Sequence, residues 1–278
     1  MRIIFSLLCL LAAYIPGMAK QSVYQGSTPA HPDVRKFLNI SLTDSIDFIK
    51  WQLAIETDKY ELNCRYGLAK GGTDGFTNER QIRLAGIITK RGYNFILNAE
   101  GRSFFLLQIN SNLLHLLDKK QNLLVGNGGY SYTLNTDSPV KTDQLNISLK
   151  QAPLTAEAAF QGRTPCQELS KTMGLNKSAA CDKMKWYIIF LVDSITGKPS
   201  HYLKGGRAYK RETMANGKWE TFTGKDGRIM YKLDPEKNNS STYLVKVDEN
   251  ILLFTDAEGN LMVGNKDFSY TLNRIRGK

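Results

Sequence analysis

The strongest constraint on this chain is that one stretch of it occurs twice. Val125–Asn135 reads VGNGGYSYTLN and Val263–Asn273 reads VGNKDFSYTLN, eight of eleven positions being identical at an offset of 138 residues. The likeness continues upstream in the same order. Leu113–Asp118 answers Ile251–Asp256, and Ile49-Lys50-Trp51 answers Met184-Lys185-Trp186. Tyr24–Ala30 (YQGSTPA) answers Phe160–Cys166 (FQGRTPC). Landmarks kept in order at nearly constant offset describe a duplicated domain, and two copies are too few for a solenoid. A chain of 278 residues has room for two average domains. The units are expected at 20–136 and 160–278. The segment 137–159, with Pro139 and Pro153 and little periodicity, reads as a linker or packed connector.

Within a unit the signals are those of short antiparallel strands. In the second copy Trp186–Val192 is rich in β-formers, and His201–Lys210 leads toward Asn216-Gly217, a dipeptide typical of hairpin turns. Lys218–Thr223, Arg228–Leu233, Tyr243–Val247, Ile251–Thr255, Leu261–Val263 and Phe268–Leu272 follow, bounded by Asn, Asp or Gly. About eight strands per unit suit closure into a small barrel, which removes exposed edges. The fold class is therefore all-β, two tandem antiparallel barrels, with a β-sandwich as the alternative. Short helices are expected after each Thr-Pro, at Asp33–Phe37 and Gln167–Met173. The glycine-rich stretch Gly71–Gly75 reads as a long hairpin loop, since no helix follows to cradle a phosphate.

The start of the chain bears on compartment. Met1-Arg2, an apolar run from Ile3 to Ile15, and Pro16-Gly17-Met18-Ala19 make a secretory signal peptide at 1–19. The run is shorter than the roughly 20 residues that span a bilayer. Cys9 lies inside it, poorly placed for lipid attachment. A soluble exported protein, periplasmic or extracellular and without a transmembrane segment, is expected. Among the later cysteines, Cys166 and Cys181 are expected to pair in an oxidising compartment. Both are missing together from the first copy, as partners of one bridge should be. Cys64 is left over and reads as a buried small hydrophobe. The net charge of +11 is spread along the chain rather than gathered in a run, so no nucleic-acid arm is indicated.

FQGRTPC, followed by a strand and then Gly217-Lys218-Trp219, resembles the N-terminal domain of NlpE-type envelope proteins, most closely from Phe160 to Leu233. The first unit resembles it through the second. The resemblance implies a lipocalin-like β-barrel and an association with copper tolerance and surface-stress signalling in a bacterial envelope. An envelope protein would then be a partner. Two features depart from the family. Its Cys-x-x-Cys after the proline is reduced here to Cys166, followed by Gln167, Glu168 and Leu169, and its lipid-anchored start is not matched.

No catalytic constellation is legible, and no cofactor is indicated. HExxH, CxxC, P-loop and G-x-S-x-G patterns are absent. His115 sits between leucines and reads as a half-buried strand residue. Cys166, Met173 and Cys181 offer soft sulfur ligands for copper(I), but only if the disulfide is open. The aromatics Trp51, Tyr130, Tyr132, Trp186, Trp219, Phe268 and Tyr270 have two readings. They are barrel core, or they line a cavity for an apolar small molecule or lipid. Alternation puts Tyr130, Tyr132 and Leu134 on one side of their strand and Ser131, Thr133 and Asn135 on the other, and likewise in the second copy. The repeated motif is then expected to be the last turn and closing strand of each barrel, its aromatics packing inward. A non-catalytic binding or sensing protein is the first reading. A lipid or small-molecule carrier is the second, and a secreted hydrolase the third.

Overall fold

The computed structural model describes residues 21–142, 144–146, 153–166, 181–205, 214–224, 227–236 and 240–275. The expected signal peptide, the expected helix at Gln167–Met173 and Met173 itself lie outside the described residues.

The chain forms two closed antiparallel barrels of eight strands each. The first runs β1 (Ser22–Pro29), β2 (Phe48–Glu56), β3 (Lys59–Gly67), β4 (Arg80–Arg91), β5 (Asn94–Ala99), β6 (Arg102–Asn110), β7 (Leu113–Leu116) and β8 (Thr133–Thr136). The second runs β9 (Ala158–Pro165), β10 (Lys183–Val192), β11 (Pro199–Gly205), β12 (Ala215–Thr223), β13 (Ile229–Pro235), β14 (Thr242–Lys246), β15 (Ile251–Thr255) and β16 (Thr271–Arg274). In each, consecutive strands pair and the last strand returns to the first, with Gln25 opposite Asn135 and Gln161 opposite Asn273.

Period-two alternation decides which residues fill each barrel. Trp51, Leu53 and Ile55 of β2 and Tyr60, Leu62 and Cys64 of β3 point inward, while Gln52 and Glu61 between them face solvent. The second interior is aromatic: Phe190, Trp219 and Tyr231 meet with ring centroids 5.1–5.8 Å apart, and Trp186 contacts Phe254 at 4.9 Å. The other landmarks of the repeat are closure devices. Trp51 Nε1 donates to Thr28 Oγ1 at 2.8 Å, and Trp186 Nε1 to Thr164 Oγ1 at 2.9 Å, so each tryptophan is tied to the Thr-Pro that recurs with it. A Cβ on Gly162 would lie 2.5 Å from the Thr271 carbonyl oxygen, where β9 crosses β16. Only glycine permits that approach.

The ends of the barrels are covered differently. In the first, α1 (Pro32–Phe37) is capped by His31, whose Nδ1 accepts from Asp33 N–H, and has proline at its start. It buries Val34 and Phe37, with Phe37 stacked 5.3 Å from Phe104. In the second, Leu154 of the connector enters the core and its N–H donates to the Tyr231 hydroxyl at 3.2 Å.

Three expectations are corrected. Asn216-Gly217 is not a turn; it lies within β12, opposite Leu203 and Tyr202. Gly217 is there for proximity, since a Cβ would sit 2.3 Å from the Asp234 carbonyl oxygen, and Gly86 plays the same part against Asn98 at 2.0 Å. The strand expected at Leu261–Val263 is reduced to a single bridge, Thr255 to Leu261. His115 is fully rather than half buried, for a reason given below. Among the described residues no helix is long and apolar enough to cross a membrane.

Cys166 and Cys181 form a disulfide with a sequence separation of 15, tying the end of β9 to the approach to β10. Cys64 is buried, and burial pushes its thiol well above the ordinary range. The paired replacement Cys166→Ala with Cys181→Ala is expected to lower unfolding free energy by about 3 kcal/mol, the loop-closure entropy of a 15-residue loop. Urea denaturation of the oxidised protein and the variant measures it.

Candidate functional site

The repeated motif proves to be where the barrels meet. Each VGN begins a tight turn. Asn127 Oδ1 accepts from Gly129 N–H and Tyr130 N–H, and Asn265 Oδ1 accepts from Asp267 N–H and Phe268 N–H, at 2.8–3.1 Å. The glycine before each asparagine has no room for a side chain. A Cβ on Gly126 would lie 2.2 Å from the Tyr130 carbonyl oxygen, and one on Gly264 would lie 2.1 Å from that of Phe268.

Beyond the turn, the two faces of the strand separate. Tyr132 and Leu134 enter the first core, and Tyr270 and Leu272 the second. Tyr130 and Phe268, expected in the same inward rows, precede the strands and stack on one another between the barrels, 5.9 Å apart with planes inclined by 2°. The outward residues Ser131, Thr133 and Asn135 are as buried as the core, because they face Ser269, Thr271 and Asn273.

The contacts are reciprocal. Asn135 Oδ1 accepts from Gly264 N–H at 2.8 Å, and Asn273 Oδ1 accepts from Gly126 N–H at 2.7 Å. Asn135 Nδ2 also donates to the Asn265 carbonyl at 3.1 Å. Ser131 meets Ser269 at 2.6 Å and Thr271 donates to Thr133 at 3.0 Å. Beside this polar row lies an apolar patch in which Ile109 and Leu113 of the first barrel meet Met230, Val245, Ile251 and Leu253 of the second. Ion pairs flank it: Lys50 with Asp267 at 2.5 Å, and Lys183 with Asp74.

His115 explains its own burial. Its Nε2–H donates to the Leu124 carbonyl at 3.0 Å, since a carbonyl only accepts, and its Nδ1 therefore accepts from the Thr133 hydroxyl at 3.0 Å. Burial holds its pKa down at about 4, partly offset by the Leu124 bond.

A cleft of about 300 Å³ opens at one edge of the junction, between Asp74, Asp182, Asp267, Phe268 and the Cys166–Cys181 bridge. Two of its three carboxylates are neutralised by Lys50 and Lys183, and Lys183 Nζ also lies 5.1 Å over the Phe268 ring. This cleft can hold a small polar or cationic group by charge and ring contact. The remaining expected site residues are elsewhere: Trp51, Trp186 and Trp219 are inside the barrels, 2–3% exposed, and Trp219 Nε1 donates to the Leu191 carbonyl. The disulfide takes both thiolates of the expected sulfur ligands, and among the described residues no group of His, Cys, Asp or Glu side chains is arranged to hold a metal. Sequence reasoning missed Lys50, Asp74, Lys183, Asp267 and the two asparagines. A signal for the asparagines was present, because Ser, Thr and Asn of the motif are as identical between copies as its Tyr and Leu.

No family model, curated protein or solved structure matches the chain.

Two predictions follow from the junction. Asn135→Ala strands the Gly264 N–H and the Asn265 carbonyl, and is expected to cost about 1–3 kcal/mol in urea unfolding. Asn273→Ala strands only the Gly126 N–H and should cost less. For His115, the unfolded side chain takes up a proton below its ordinary pKa of 6.5, whereas the folded one does not until about 4. Stability is then complete above that upper value and falls as pH drops through the window, by about 3 kcal/mol in all. His115→Leu, the residue type the second copy carries at Leu253, should remove that part of the acid sensitivity in denaturation measured across this range.

Proposed function

We propose that this is an exported, non-catalytic protein of a bacterial envelope, of the NlpE type, with a binding or sensing role exercised by the outside of the barrel pair. The observation that carries the reading is that each barrel interior is occupied by its own side chains, while a charged cleft opens outside both cores at the edge of the junction. Such an interior favours neither a lipid nor an apolar small molecule as cargo. The groups whose pKa values move furthest also speak for a structural use. Burial pushes Tyr132 of the first barrel and Tyr231 of the second furthest up, and His115 is committed to Thr133 and Leu124. They do not converge as an acid and a base would, which argues against a hydrolase. Export is supported by the signal-like start of the sequence and by the Cys166–Cys181 disulfide, which persists in oxidising compartments. The missing second cysteine of the family's Cys-x-x-Cys, with Cys166 already bonded, speaks for sensing through a protein partner rather than copper capture through thiolates.

Native mass spectrometry of the chain purified from its own host's envelope tests this. The expected species begins at Lys20, is two hydrogens lighter than the reduced chain across Cys166 and Cys181, and carries no lipid. A stoichiometric apolar ligand would return the function to the barrel interiors. Steady turnover of an ester, glycoside or peptide panel would make the protein an enzyme.

A further inference from the structure

We infer that the junction face is a self-pairing surface: its partner is a second copy of the same face, and it closes between two chains as well as within one. The motivation is the symmetry of the contacts. Exchanging each motif residue for its counterpart 138 positions away turns the Asn135–Gly264 bond into the Asn273–Gly126 bond. The same exchange maps Ser131–Ser269, Thr133–Thr271 and Tyr130–Phe268 each onto itself. That is the rule of an isologous interface, in which one patch recognises itself across a two-fold axis. Such a patch is indifferent to whether its mate belongs to the same chain.

The polar row also makes pairing obligatory. Thr133, Asn135, Thr271 and Asn273 are each 1% exposed and lie where the two barrels meet. Their partners across the junction supply the hydrogen bonds that water would otherwise make. The connector between Thr136 and Ala158 contributes proximity, raising the effective concentration of one barrel around the other, and its Leu145 packs against the apolar patch beside the polar row.

Outside the symmetric row the face is selective. The counterpart of Asp267 is Gly129, and the counterpart of Lys183 is Phe48. Phe48 keeps the ring contact that Lys183 makes, stacking 4.6 Å from Tyr130, but carries no charge. Two first barrels brought together would set Lys50 against Gly129 and Asp74 against Phe48. Each pairing would then strand two lysines and two aspartates. Opposite charges face each other when a first barrel meets a second one and not when two first barrels meet, and this bars first barrels from pairing with each other.

The test keeps the whole chain. A protease site is inserted between Asn146 and Pro153, the purified protein is cut, and isotope-labelled and unlabelled cut samples are mixed after a brief passage through urea. Native mass spectrometry is expected to show the cut pieces held together at the mass of the uncut chain, new pairs of one labelled and one unlabelled barrel, and no pairs of two first barrels. Asn135→Ala with Asn273→Ala should weaken retention at least tenfold while far-ultraviolet circular dichroism keeps its β signal. Pieces that separate or unfold once the peptide is cut would overturn the inference, as would labelled and unlabelled barrels that never mix. First–first pairs forming as readily as mixed ones would overturn the selectivity.

Discussion

The reciprocal bonds from Gly126 and Gly264 to Asn273 and Asn135 are the constraint on which the rest of the structure depends. A strand that closes a barrel has one face in the core, and its other face is normally left to water. Here that other face carries Ser, Thr and Asn and is nevertheless buried, so its hydroxyls and amides draw their hydrogen bonds from protein, with Asn273 Nδ2 left without a partner among the described residues. The face that matches it is its own duplicate. This explains why eleven residues stayed nearly constant while most of the chain diverged: a change in one copy would leave a donor or acceptor unpaired in the other. The turn glycines are held by the same logic, because the space a Cβ would need is occupied by the opposite asparagine, 2.9 Å from Gly126 and 2.8 Å from Gly264.

Much of this architecture was legible in the sequence, and the parts that were not share a cause. Alternation in Arg228–Leu233 reported a strand and its inward residues correctly, Tyr231 and Leu233 entering the second core, because burial in a small barrel follows a period of two. The disulfide was legible because both cysteines are missing from the first copy. Alternation cannot say what covers the outward face, so the Ser-Thr-Asn row could be placed opposite the aromatics and no further. It also cannot separate the two uses of glycine. Asn216-Gly217 has the composition of a hairpin turn, yet Gly217 serves the close approach of Asp234, which depends on a strand 17 residues further on. The inward row was overextended for a related reason: Tyr130 and Phe268 continue the alternation of letters but stand before β8 and β16 begin.

The copies diverge where each barrel is finished. The first is closed by α1, anchored by Phe37 on Phe104 and by the Arg102 guanidinium donating to the Phe37 carbonyl at 2.7 Å. The second receives Leu154 at one place and is tied by Cys166–Cys181 at another. These differences bring the unlike features to one edge of the junction, where Asp74 of the first barrel reaches the cleft beside the disulfide of the second. A duplicated fold can acquire a composite site in this way without altering either core, since each half contributes only a loop or a covalent tie.

The polar row has a direction as well as a symmetry. Ser269 donates to Thr271, Thr271 to Thr133, and Thr133 to His115, which in turn donates to the Leu124 carbonyl. With the Ser269 proton committed, Ser131 is the donor in the Ser131–Ser269 contact. Five hydrogens therefore point one way along the row, which crosses the junction from Ser131 to Ser269 and returns from Thr271 to Thr133, and the acceptor that terminates the run is a carbonyl that cannot reverse it. One residue sets that polarity. A leucine at 115, as at 253 in the second copy, would leave the Thr133 hydroxyl without an acceptor and the direction of the row undetermined. A neutral imidazole offers an acceptor on one nitrogen and a donor on the other, which is what a hydroxyl row ending on a carbonyl requires. Burial maintains that neutral form, so the packing that encloses His115 and the ordering of the hydrogen bonds between the barrels are one physical effect.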